Sequence, residues 1–120
     1  MKRNHRELRV WQRAILLVED IYKLTGAFPK EEQFGITSQM CRASVSVPCN
    51  IEEGAARKST KELLYFLNIA SGSLSELDTH LIISQRLGYI DDIIQLQEKI
   101  DNIAGSLMGL SSSLKRKGML

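Results

Sequence analysis

Cysteine, proline and aromatic residues are all scarce in this 120-residue chain. Two cysteines, Cys41 and Cys49, are too few for a disulfide scaffold. If they share one helix, eight residues at about 1.5 Å each hold them roughly 12 Å apart, beyond disulfide reach. They read as reduced packing residues. Two prolines and 6% aromatic content argue against an all-β domain, because strands draw on aromatic residues and their turns on proline. No run comes near the roughly 20 apolar residues that span a bilayer, and Met1 to Glu7 lead into a charged amphipathic segment without a signal-peptide core. No membrane role and a cytoplasmic location are therefore expected. The sequence also lacks a glycine-rich phosphate loop, G-x-S-x-G, HExxH and CxxC, so no catalysis and no cofactor are expected.

What is present is helical periodicity in a soluble composition, 43% hydrophobic and 25% charged, over a length that suits one domain spanning residues 1–120. A first helix is predicted from about Arg6 to Thr25, stopped by Gly26 and Phe28-Pro29. It carries two apolar seams, Leu8, Trp11, Ile15, Val18 and Tyr22, and, about 120° away, Val10, Ala14, Leu17, Ile21 and Leu24. One seam suffices for a subunit core, so the second is expected to meet another subunit.

The last helix has the most regular pattern. Ile93, Leu96, Ile100, Ile103, Leu107, Leu110 and Leu114 alternate steps of three and four, with Asp91 or the residue before it as cap and Gly118 as terminator. The third helix starts at the capping box Ser59-Thr60-Lys61-Glu62 and runs to near Gly88. Its small middle, Ala70 to Ser75, marks either close approach of a neighbour or a weak helix, and close packing is the favoured reading. The second helix is predicted between about Glu31 and Arg57, kinked at Pro48, with two shorter helices as the alternative. Short connections make an all-α, up-down-up-down four-helix bundle with a proline-kinked second helix the expected fold.

Residues 1–13 hold Lys2, Arg3, Arg6, Arg9 and Arg13 against Glu7, residues 115–117 add Lys115, Arg116 and Lys117, and the chain between has 8 basic and 13 acidic residues. An up-down-up-down bundle would bring both termini beside Arg57, Lys58 and Lys61, while Glu19, Asp20, Glu31, Glu32, Asp91 and Asp92 gather at the other pole. Such a basic pole suits RNA or DNA phosphates; the same charges also serve as solubilising ends or dock an acidic protein. Glu76 and His80 lie one turn apart and offer half a metal site, but the bundle di-metal pattern of several carboxylates with Glu-x-x-His is lacking, so no metal is expected. Cys41 has no recognisable histidine partner.

The segment Gln39-x-x-Arg42-Ala43-x-x-Ser46-Val47-Pro48-x-Asn50-Ile51-x-Glu53-Gly54, followed by Arg57, resembles the signature of the four-helix-bundle proteins encoded in bacterial 23S rRNA intervening sequences. Trp11, Phe28-Pro29, Ile69-Ala70-x-Gly72-Ser73-Leu74-x-Glu76-Leu77 and Leu87-Gly88-Tyr89-Ile90 extend the similarity over nearly the whole chain. Ser44, Cys49 and Glu52 depart from it where small alanines are common. The family is also similar to the accessory variability determinant proteins of diversity-generating retroelements, pentameric barrels that bind nucleic acid and a reverse transcriptase. The resemblance implies a homopentamer and such partners. The ring would use Val10, Ala14, Leu17 and Ile21, and the motif residues Arg42, Ser46, Pro48, Asn50, Glu53 and Gly54 would shape helix packing and the following turn.

Overall fold

The computed structural model describes residues 8–118, and every regular element among them is helical. Four α-helices follow one another: α1 (Arg9–Thr25), α2 (Ile36–Ala55), α3 (Thr60–Arg86) and α4 (Ile94–Gly118). The expected start of α1 near Arg6 lies outside the described residues, and Leu8 stands extended at its boundary. Before α2, Lys30–Glu32 form a single 3-10 turn, and Gly35 takes non-helical angles. The second helix is accordingly shorter than expected, because Glu31 and Glu32 belong to this separate turn. At α4 the cap is Asp92, whose Oδ1 accepts from the Ile94 amide at 2.9 Å, not Asp91 or Ile90. Ser59 caps α3 as its motif predicts, accepting from the Glu62 amide at 3.1 Å.

Neighbouring contacts close the bundle. Helix α1 packs on α2 and α4, and α3 packs on α2 and α4, while the diagonal pairs make no close backbone approach. Arg13 meets Asn102 and Asp20 meets Lys99, so numbering rises along α1 as it falls along α4. Ser46 meets Ser73 and Met40 meets Ser84, while Asp78 meets Gln97 and Leu74 shares a groove with Ala104, which gives the same opposed sense to α2/α3 and α3/α4. All four neighbours are therefore antiparallel. The core consists of fully buried aliphatic side chains from each helix, including Leu17, Ile21, Met40, Leu67, Leu74, Leu77, Leu81, Ile103 and Leu107. Burying one such side chain stabilises the fold by about 1.5–3 kcal/mol.

The structure corrects the expected interface set on α1. Val10, Ala14, Leu17 and Ile21 are buried inside the single subunit, none more than 7% exposed, and cannot meet a second subunit without unfolding it. The incompletely covered seam is the other one: Leu8, Trp11, Ile15 and Val18 are half-buried and Tyr22 is exposed. Both seams have the same periodicity, so spacing alone did not separate them. Side-chain chemistry does, because the indole N–H and phenol O–H of Trp11 and Tyr22 favour a rim where polar partners are available.

Helix α2 continues through Pro48 as one element. The missing proline N–H leaves the Ser44 carbonyl without its usual helical donor. Nearby polar groups are bound locally: Asn50 Nδ2 donates to the Ser46 carbonyl at 2.7 Å and to its hydroxyl at 2.9 Å, and Ser44 Oγ donates to the Cys41 carbonyl at 2.8 Å. Ser73 on α3 donates to Ser46 Oγ at 2.8 Å, tying this polar cluster to the neighbouring helix. Within the small segment of α3, Ala70 and Ser73 are buried, whereas Gly72 is exposed and a Cβ there would meet open space.

Gly54 is where α2 and α3 come closest to requiring a glycine. A Cβ on Gly54 would lie 2.9 Å from Leu63 Cδ1, 3.1 Å from Phe66 Cβ and 3.3 Å from the Leu63 carbonyl oxygen. The leucine tip can rotate away, but Phe66 Cβ and the backbone move only with α3. Gly54→Val should therefore destabilise the subunit by about 2 kcal/mol, the overpacking cost outweighing the better helix propensity of a residue with a side chain. Urea denaturation followed by circular dichroism checks this, and an unchanged midpoint would contradict the close approach.

The α1–α2 and α3–α4 connections meet at the pole opposite the termini. Tyr89 donates from its hydroxyl to Glu32 Oε2 at 2.8 Å, and its ring lies 5.4 Å from that of buried Phe28. That hydrogen bond, some burial and the charges of Glu32 and Glu31 raise the phenol pKa above its ordinary value of 10.0. With Glu32 a carboxylate the tie is intact at neutral pH, and it is lost as the pH rises through the phenol's raised pKa.

Candidate nucleic-acid interface

The antiparallel order places the start of α1, the end of α2, the start of α3 and the end of α4 at one pole. Arg9, Lys58, Lys61, Lys115, Arg116 and Lys117 are all exposed there. None of the six has an ion pair among the described residues. Arg3 and Arg6, which the charge pattern assigns to the same pole, lie outside the described residues. The last turn of α4 carries three of the cations, where they also complement the negative end of the helix dipole.

Two expected cations are already engaged. Arg13, a turn inside α1, donates through Nη1 to Asn102 Oδ1 at 2.7 Å and stitches α1 to α4. Arg57 donates through Nη2 to Glu53 Oε2 at 3.0 Å, its Nε stands 4.0 Å from Glu62 Oε2, and its guanidinium lies 5.1 Å from the Phe66 ring centroid. Two carboxylates and an aromatic face thus hold Arg57 as an organiser of the α2–α3 turn. Glu53 serves this pair within its own helix end, whereas Arg42, on the flank of α2, is exposed and unpaired among the described residues.

Sequence reasoning passed over the aromatic side chains of this pole. Tyr65 is 61% exposed, and its ring meets Phe66 edge to face, with centroids 5.2 Å apart and planes at 84°. The available signal was the spacing Lys61-x-x-x-Tyr65, which puts a cation and an aromatic ring one turn apart on one helix face.

The acidic pole lies some 40 Å away, the length of α3 at about 1.5 Å per residue. That is about four Debye lengths at 0.1 M salt, so Glu31, Glu32, Asp91 and Asp92 do not cancel the field at the basic pole. Between the poles, α1 and α4 flank a groove of about 540 Å³ crossed by the Asp20–Lys99 ion pair at 2.7 Å. Such exposed pairs contribute about 0–1 kcal/mol.

The half metal site has a different setting from the one a ligand needs. His80 is 6% exposed; its Nε2 faces Glu76 Oε1 at 3.7 Å, and its Nδ1 is buried without a hydrogen-bond partner. Among the described residues no three His, Cys, Asp or Glu side chains are grouped to hold a metal ion. Cys41 Sγ lies 3.5 Å from the Thr25 hydroxyl, and Cys49 is exposed. Among the described residues no helix is long and apolar enough to cross a membrane.

A family model described as 23S rRNA-intervening sequence protein matches residues 6–109. Among curated proteins, none matches the chain.

Proposed function

The chain belongs to the 23S rRNA-intervening sequence protein family, and we propose that it is a non-enzymatic homo-oligomer whose basic pole binds RNA or DNA through phosphates. The observation that carries this reading is the gathering of Arg9, Lys58, Lys61, Lys115, Arg116 and Lys117 at one end, exposed and unpaired among the described residues. Cations already spent on carboxylates would add little to phosphate binding. These six are available, and exchanging their counterions for phosphates would drive binding without reading sequence.

The partly covered seam of α1 supports assembly, with Ile15, Val18 and Tyr22 in place of the buried set first expected. We extend the proposal to a five-subunit ring and a reverse transcriptase as protein partner, as the resemblance carried by the motif around Pro48 would imply. A ring would present several basic poles together, so weak single contacts would add as avidity. Light scattering should give five times 13.5 kDa, about 68 kDa; a mass of 13.5 kDa at every concentration would refute the ring. Fluorescence anisotropy with unrelated RNA and DNA sequences should show similar affinities that fall steeply between 50 and 200 mM salt. Failure to bind either at low salt would select the competing reading, a scaffold for an acidic protein partner.

A further inference from the structure

We infer that Tyr65 is a base-stacking platform and that the basic pole prefers single-stranded nucleic acid over duplex. The inference rests on the phosphate-binding reading of the same pole and specifies its ligand. A sequence-tolerant site for single strands needs cations that follow the backbone and an aromatic ring on which an unpaired base can lie. Both are found at the start of α3. Lys61 and Tyr65 share one face a turn apart, Lys58 stands just before the helix, and all three are exposed.

The ring is also held in place. Tyr65 rests edge to face on Phe66, Phe66 is half-buried and so near Gly54 that a Cβ there would lie 3.1 Å from its own Cβ, and the Arg57 guanidinium lies over the Phe66 ring. Glu53 pairs with that guanidinium at 3.0 Å, and Glu62 approaches it at 4.0 Å. An aromatic side chain positioned before binding gives up little rotamer freedom when a base stacks on it. The Tyr65 hydroxyl has no hydrogen-bond partner among the described residues, so nothing there accounts for an exposed tyrosine as a structural polar contact. In a duplex the bases are stacked on one another and offer the ring no free face. Phosphates, by contrast, are available to Lys58 and Lys61 in either form.

The test uses the full chain, a 20-nucleotide uridine RNA, an abasic strand of equal length and charge, and a 20-base-pair duplex. Tyr65→Ala should weaken binding of the uridine strand about tenfold, as expected for losing one stacked base, and leave the abasic strand and the duplex unchanged. Tyr65→Phe should retain wild-type affinity, since stacking needs the ring and not the hydroxyl. Lys58→Gln with Lys61→Gln should weaken all three ligands. If Tyr65→Ala changes nothing, or weakens strand and duplex alike while the lysine variant still weakens both, the stacking inference is overturned and the phosphate reading stands. If wild-type protein binds none of the three at low salt, both fall together. An unchanged circular dichroism spectrum for Tyr65→Ala ties any loss to the exposed ring.

Discussion

Ile21→Asp should abolish the cooperative unfolding transition of the subunit, whereas Ile15→Asp should leave the helices intact and dissociate the proposed oligomer. Ile21 is completely buried in the apolar core formed by all four helices. A carboxylate there would be ionised without a partner or forced neutral, and either state costs several kcal/mol. That is a large share of the 5–15 kcal/mol by which a domain of ordinary stability folds. Ile15 is only half-buried and lies on the seam that the subunit leaves partly uncovered. An aspartate at that position keeps access to water in the isolated subunit and loses it only against a second copy. Thermal melts by circular dichroism and light scattering separate the effects. A cooperative melt retained by Ile21→Asp would refute the assignment of the inner seam, and an Ile15→Asp subunit that unfolds equally would show that the outer seam is no subunit interface.

The second large effect concerns charge. Replacing Lys58, Lys61, Lys115 and Lys117 together with glutamine should weaken binding to RNA and DNA on the order of 10³-fold at 0.1 M salt and flatten the salt dependence. These side chains are exposed and free of ion pairs among the described residues, so each neutral replacement removes a potential phosphate contact without leaving a buried carboxylate unpaired. Replacing Lys23, Lys30 and Arg86, also exposed but towards the acidic pole, should change affinity little, because charges several Debye lengths from the ligand are screened. Arg57→Gln should differ from both sets. It releases Glu53 and Glu62 and uncovers Phe66, so its main effect is on the α2–α3 turn, with a smaller change in the salt slope than the lysines give. Titrations at several salt concentrations make the comparison. Equal losses from the control and basic-pole sets would refute a localised phosphate site.

The number and type of helices were legible in the sequence because helical burial repeats every three to four residues, and four segments carry that repeat. Ser59 with Glu62 announced the start of α3, since a capping box is complete within four residues and needs no distant partner. The Asn50 side chain binds the Ser46 carbonyl one helical turn away, a contact of the same local kind. Where the decisive partner is remote, local pattern fails. Whether Val10, Ala14, Leu17 and Ile21 or Leu8, Trp11, Ile15, Val18 and Tyr22 faces the core depends on how α2 and α4 sit around α1, and both seams satisfy the same spacing. The glycine requirement at Gly54 comes from Leu63 and Phe66 on the next helix. Formal charge marked Arg13 and Arg57 as equal to Lys58 and Lys61, but folding brings Asn102 to Arg13 and a second carboxylate and an aromatic ring to Arg57. Sequence by itself determined the four helices, the Ser59 cap of α3 and the two charged poles, which depend on interactions within a turn or on the order of elements. Only the tertiary structure decided which α1 seam is core, which cations have no ion pair among the described residues and that Tyr65 stands among them, because each depends on side chains that meet only when helices pack.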